Sequence, residues 1–133
     1  LTWKHATTNG YWKLGSKYQI DDKNDRFEDD EFISYSADRV SLFTSRYWRY
    51  QQWDFTLSGQ YRLSEYHDKN TYGGESDTLR EDDRLSLFAN LTYHVNDNLS
   101  LHTEIDISNN SSTHEENEYD QNTLSLGATW QFN

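Results

Sequence analysis

The sequence predicts an all-β fold, an antiparallel up-and-down transmembrane β-barrel with seven or eight strands in this chain. Three observations predict it. Apolar and polar residues alternate with period two over seven stretches. The connections between these stretches alternate short and long. Most of the tryptophans, with several tyrosines and phenylalanines, cluster beside the short connections, where a membrane interface would hold them. With 133 residues the chain reads as one unit, residues 1–133, a single barrel domain or a C-terminal barrel segment.

Taken in order, the strands are expected at Leu1 to Thr8, Tyr11 to Ile20, Ala37 to Tyr50, Trp53 to Tyr66, Arg84 to Val95, Leu99 to Ser108 and Thr123 to Phe132. The first two are joined by Asn9-Gly10, the strongest two-residue hairpin signal because both positions tolerate the positive φ of a type I′ turn. That turn predicts Thr7 opposite Trp12. Gln51-Gln52 joins the next pair and sets Tyr50 against Trp53, Trp48 against Phe55, Leu42 against Tyr61 and Val40 against Leu63. Asn96-Asp97-Asn98 forms the third short connection. The long ones run Asp21 to Ser36, His67 to Asp83 and Asn109 to Asn122, and Glu31 to Tyr35 reads as an extension of the third strand above the membrane. No stretch reads as a helix.

Composition narrows the class. No run approaches the roughly 18 unbroken apolar residues of a spanning helix, so a helical membrane protein is excluded. The 33% apolar content suits strands in which only alternate residues need be apolar. Cysteine is absent, which removes disulfides, thiolate metal sites and cysteine nucleophiles, and the absence of proline suits long hydrogen-bonded strands. Leu1 opens without a signal peptide, as in a mature product or a piece of a longer polypeptide. A net charge of −11 argues against nucleic acid as a partner.

Pairing places Trp3, Trp12, Leu14, Tyr18, Ile20, Leu85, Leu87, Ala89, Leu91, Tyr93, Leu99, Leu101, Ile105 and Ile107 on one face, with Leu124, Leu126, Ala128, Trp130 and Phe132 of the last strand. All five tryptophans fall there. Trp12, Trp48, Tyr50, Trp53, Tyr93, Trp130 and Phe132 form the expected membrane aromatic belt. The other face carries the expected basic lumen lining, Lys13, Lys17, Arg49, Arg62 and Arg84, together with His94, His102, Glu104 and Asp106. Alternation alone leaves open whether the apolar face looks out to lipid or in to a core, as in a soluble β-barrel or sandwich binding protein. The aromatic placement and the charged second face favour lipid. Arg46 falls on the apolar face by parity, which calls for snorkelling or for a bulge that shifts the phase.

Of 23 acids, 18 lie in three windows, Asp21 to Glu31, Glu65 to Asp83 and Glu115 to Asp120, offset there by Lys23, Arg26, Lys69 and Arg80. An acidic rim above a mildly basic interior follows. It is expected to be plain solvated surface, a cation-bridged contact with lipopolysaccharide, or an electrostatic screen at a pore mouth. Asp21, Asp22, Asp25, Glu28, Asp29 and Asp30 are numerous enough to hold a cation weakly but lack the spacing of a dedicated calcium loop.

The closing stretch NTLSLGATWQFN resembles the last strand of bacterial outer-membrane β-barrels, whose terminal aromatic belongs to the signal read by the barrel-insertion machinery. The run from Arg80 through Asp83, Arg84 and Ser108-Asn109, then Tyr119-Asp120 and the terminal strand, is similar to the C-terminal hairpins of barrels linked to tetratricopeptide-repeat modules. These are the exopolysaccharide-secretion porins and surface-lipoprotein assembly modifiers. The resemblance covers about the last 55 residues and implies a Gram-negative outer-membrane location. It also implies secretion or assembly of an anionic polysaccharide or exported lipoprotein, without cofactors and without catalysis. An odd strand count and the cost of an open edge in lipid predict completion by an upstream segment, another chain or an eighth strand.

The alternative from another class is a small outer-membrane lipid-modifying hydrolase. Such enzymes carry a His-x-Ser-Asn element, and here Asp106 stands where the base histidine should be, before Ser108-Asn109. His102 lies four strand positions further, about 13 Å, and His114 and Glu115 belong to a loop. The trio His102, Glu104 and Asp106 has an i, i+2, i+4 spacing of about 6 to 7 Å per step, too wide for one metal ion. Salt bridges from these acids to Arg84 or Arg62 are expected instead. The resulting reading is a passive pore, export conduit or assembly scaffold.

Overall fold

The computed structural model describes residues 1–21, 26–28, 31–33, 36–67 and 79–132. Seven strands form one antiparallel sheet in sequence order: β1 (Thr2–Thr7), β2 (Gly10–Asp21), β5 (Ala37–Tyr50), β6 (Trp53–Tyr66), β7 (Glu81–His94), β8 (Leu99–Ser112) and β9 (Tyr119–Trp130). Every pairing in this sheet is between successive strands of the sheet, which makes it an up-and-down meander. A separate two-stranded hairpin, β3 (Arg26–Glu28) and β4 (Glu31–Ile33), lies in the connection from β2 to β5 and replaces the expected extension at Glu31 to Tyr35; residues 34–35 lie outside the described residues. No eighth strand joins the main sheet among the described residues. One short 3₁₀ turn, Glu115–Asn117, interrupts the last long connection.

The β5–β6 register agrees with expectation at all four predicted pairs. Gln51 adopts the positive φ (53°) that a two-residue hairpin needs at its first position. The first hairpin differs. Its turn is Thr8-Asn9, Thr7 pairs with Gly10, and Trp12 faces His5 instead of Thr7. Gly10 is needed for another reason than turn geometry: a Cβ there would come within 2.0 Å of the Tyr47 carbonyl oxygen on β5. The slip is two residues, so parity and face assignment survive.

Several strands run further at the long-connection end than the sequence pattern suggests. β7 begins at Glu81, β8 continues to Ser112 and β9 starts at Tyr119. The outward positions of these extensions include Glu81, Asp83, Asn109, Ser111 and Asp120, so apolar alternation ceases although pairing continues. On β7 the outward apolar band therefore spans Leu85 to Tyr93, close to the 9–11 residues of a membrane-crossing strand.

Register also staggers the sheet. The first hairpin ends level with Trp48, the second at Tyr50 and Trp53, and the third near Leu99, two residues lower each time. Such a uniform slant is the shear that lets tilted strands wrap into a cylinder.

Burial is inverted relative to a water-soluble domain. Among the described residues the one buried hydrophobic residue is Ala37, whereas the buried polar set includes Ser41, Ser64, Asp82, Ser108 and Asn110, with Ser108 only 2% exposed. Leu87 and Leu101 are exposed, and Leu126 is 76% exposed. In water this continuous apolar surface would far exceed what soluble monomers show. Hydrocarbon is the solvent that matches it.

Candidate lumen site

The polar face is built by register in successive rows across the sheet, since residues directly opposite in antiparallel strands share a face. From the short-turn end upward, one row holds Arg49, Asp54, Thr92, His102 and Gly127; the next holds Tyr11, Tyr47, Thr56, Asn90, Glu104 and Ser125. Then come Lys13, Ser45, Ser58, Phe88 and Asp106, and above them Gly15, Phe43, Gln60, Ser86 and Ser108. The next row contains Lys17, Ser41, Arg62, Arg84, Asn110 and Tyr119, and above it stand Gln19, Arg39, Ser64, Asp82 and Ser112. Lys13, Lys17, Arg49, Arg62, Arg84, His94, His102, Glu104 and Asp106 thus all lie on this face.

Two polar knots organise it. At the short-turn end Asp54 accepts from Arg49 Nε (2.5 Å) and Nη2 (2.6 Å) and from the Tyr47 hydroxyl (3.0 Å). His94 Nε2 lies 2.8 Å from the same carboxylate and Nδ1 lies 2.9 Å from Ser100 Oγ. An ionised carboxylate only accepts, so Nε2 carries the proton and, in the neutral ring, Nδ1 takes the Ser100 hydroxyl. At the opposite end Arg80 is bidentate on Asp82, which also accepts from Ser112 Oγ (2.7 Å) and the Tyr66 hydroxyl (3.3 Å). Burial pushes the Asp82 carboxyl up, but these donors outweigh it and hold it below the usual carboxylate range. Asp82 sits above the outward apolar band, so this knot lies at the rim. Arg39 pairs with Asp21, and Arg39 and Arg80 both lie over the Tyr66 ring, at 5.8 and 4.3 Å.

At the rim knot the polar face forms a cleft of about 370 Å³ lined by Arg39, Arg62, Arg80, Arg84, Asn110 and Tyr119, with the paired carboxylates of Asp21 and Asp82 also in its wall. A second depression of about 580 Å³ lies below it, beside Lys13, Phe43, Phe88 and Asp106. Large rings cover cross-strand glycines here: Phe43 lies against Gly15 and His102 against Gly127, where an added Cβ would come within 2.2 Å of either ring. Lys13 approaches the Phe43 ring at 5.7 Å, and Lys17 Nζ donates to Gln19 at 2.5 Å.

The expected salt bridges from Glu104 or Asp106 to Arg62 or Arg84 do not form. Register sets Glu104 opposite Asn90, whose amide donates to it at 3.1 Å, and Asp106 opposite Phe88, two rows below Arg84. Arg84 Nε instead donates to Ser108 Oγ (3.0 Å), which also contacts Ser86 Oγ at 3.2 Å. Among the described residues no hydrogen bond of Ser108 goes to a histidine; His114 sits 3.6 Å from Glu116. Nor do three His, Asp or Glu side chains converge on a metal position among the described residues. Of the proposed cation loop, Asp22, Asp25, Asp29 and Asp30 lie outside the described residues, while Asp21 is paired with Arg39.

On the apolar face Trp48 stacks on Phe55 at 5.0 Å, Trp53 tilts against Tyr93 at 4.5 Å, and Trp130 lies 6.1 Å from Phe132. Arg46 is resolved as a snorkelling side chain. The register of β5 is continuous, with no bulge, and the guanidinium lies over Trp12 (4.9 Å) and reaches Thr7 Oγ1 (3.2 Å), beside the Thr8-Asn9 turn. Sequence reasoning missed Arg39, Asp54, Tyr66 and Tyr119 on the polar face. Parity alone assigns Arg39, Asp54 and Tyr66 once the Gln51-Gln52 hairpin is fixed; Tyr119 needed the unforeseen start of β9.

The family model described as Putative beta-barrel porin 2 matches residues 51–132. No curated protein and no solved structure matches the chain.

Proposed function

The chain belongs to the Putative beta-barrel porin 2 family, and from that premise we propose that it forms a passive, non-catalytic pore in a bacterial outer membrane. The observation that carries this reading is the inverted burial: polar side chains pack against one another on one face while leucines, isoleucines and indoles cover the other. A β-barrel in lipid requires that arrangement, because its outside faces hydrocarbon and its inside faces water. The polar face supplies Lys13, Lys17, Arg49, Arg62 and Arg84, which favour anions in the lumen.

The finer role is a conduit or scaffold for an anionic polysaccharide or exported lipoprotein, serving an export system with tetratricopeptide-repeat modules. The C-terminal resemblance and the cationic row support it. β1 and β9 are paired on one side only among the described residues. In lipid each unpaired backbone group costs several kcal/mol, so further strands, from this polypeptide or another, complete the cylinder. The acidic rim meets the lipopolysaccharide layer, and Phe132 is offered to the insertion machinery. Planar-bilayer recording of the protein tests the pore. Stable conductance steps with anion preference are expected. An electrically silent insertion, at protein levels that show complete folding, would refute it.

A further inference from the structure

One row of the polar face is charged in an unusual way. Arg62 and Arg84 are direct cross-strand partners, and Lys17 lies on the same row, with Ser41, Asn110 and Tyr119 completing it. The row contains no acid. Like charges directly opposite one another in a sheet are destabilising. Normal practice would place a carboxylate between them, as Asp21 and Asp82 serve Arg39 and Arg80 one or two rows above. Those two acids are committed. Among the described residues Arg62 has no hydrogen-bond or ion-pair partner, and Arg84 spends only its Nε, on Ser108, leaving both terminal nitrogens available. Its guanidinium is steadied 5.7 Å from the Tyr119 ring. The pair opens into the cleft of about 370 Å³, which is roomy enough for one oxyanion with its water.

We propose that Arg62 and Arg84 form an oxyanion-binding station, gripping one carboxylate, phosphate or sulfate group between two guanidinium forks. A planar fork matches such a group with two parallel hydrogen bonds, and a bound anion turns the mutual repulsion of the pair into shared attraction. The station rests on the pore reading, because it needs the polar face to be wet. It makes anion passage stepwise, a group being held at this row before moving on.

The test is ¹⁵N NMR of the full chain folded in detergent micelles, following arginine Nε–H signals while inorganic phosphate, D-glucuronate or neutral D-glucose is added. Phosphate, glucuronate or both should shift Arg62 and Arg84 saturably, with glucose doing nothing and Arg49, held by Asp54, staying still. Which anion saturates at lower concentration tells a phosphate ligand from a sugar carboxylate. Arg62→Gln should weaken binding at least about tenfold, the loss of one charged hydrogen-bonding fork. Arg62→Lys, which keeps charge without the fork, should fall between. The urea midpoint of Arg62→Gln should be equal to or above that of the parent, since a like-charge contact is removed. Absence of a saturable shift with either anion, or unchanged affinity in Arg62→Gln, overturns the station. Bilayer conductance separates the two ideas: channels without anion saturation sink the station alone, and saturation without channels sinks the pore.

Discussion

Placing a lysine at two successive positions of one strand should give opposite outcomes. Ala89 is the centre of the outward band of β7, four residues from Leu85 and from Tyr93, and lies between Leu57 and Ile105. Four residues along a tilted strand correspond to about 10 Å of membrane depth, which a lysine stem shortens but does not cover. A midplane lysine on the lipid face of a barrel costs about 2–4 kcal/mol. Ala89→Lys should therefore lose about 3 kcal/mol, or roughly 100-fold in the folding equilibrium. Asn90, one residue on, lies on the polar face and donates to Glu104. Asn90→Lys exchanges that bond for an ion pair and should stay within about 0.5 kcal/mol of the parent. The assay is reversible urea unfolding in lipid vesicles, read by tryptophan emission. If Ala89→Lys lost less than about 1 kcal/mol, or Asn90→Lys were the more damaging, the facing of the sheet would be misassigned.

The glycines should separate by space. At Gly59 an added Cβ meets Leu87 and Thr44 at 3.4 and 3.7 Å, ordinary contact, so Gly59→Ala should be neutral or stabilise by up to about 1 kcal/mol. Gly15→Ala drives a methyl into the Phe43 ring and should lower the same urea midpoint clearly. For Asp82 the Arg80, Ser112 and Tyr66 donors hold the folded carboxyl below the ordinary carboxylate value. Its contribution is therefore present above that value and lost as pH falls through the lower, folded one. Unfolding as the pH falls below the ordinary carboxylate range should show an acid-sensitive loss that Asp82→Asn removes; an identical pH profile in the variant would contradict the rim knot.

Much of the fold was legible because one face of each membrane-crossing stretch is uniformly apolar and two-residue turns fix register. Ala37–Tyr50 and Trp53–Tyr66 follow from the Gln51-Gln52 turn to the residue. Legibility failed where the outward face leaves lipid. Above Leu85 and Ile107 both faces meet water, Glu81, Asp83, Asn109 and Ser111 occupy outward positions, and alternation no longer marks a strand that hydrogen bonding nonetheless continues. Asn9-Gly10 misled because Gly10 answers the close approach of the Tyr47 carbonyl and not a turn dihedral. At the site, parity gathered the cations on one face but could not pair them. Which acid meets which arginine depends on register across β6, β7 and β8, and that register leaves Glu104 with Asn90 and Arg62 beside Arg84.

All five tryptophans, Trp3, Trp12, Trp48, Trp53 and Trp130, project from the apolar face. Quenching of their fluorescence by lipids brominated along the acyl chains reports directly whether that face touches hydrocarbon. The account predicts that brominated bilayers extinguish most of the emission while a water-borne quencher such as iodide removes little of it. Emission indifferent to bromine, in protein shown to be folded, would contradict a lipid-facing apolar surface and the pore with it.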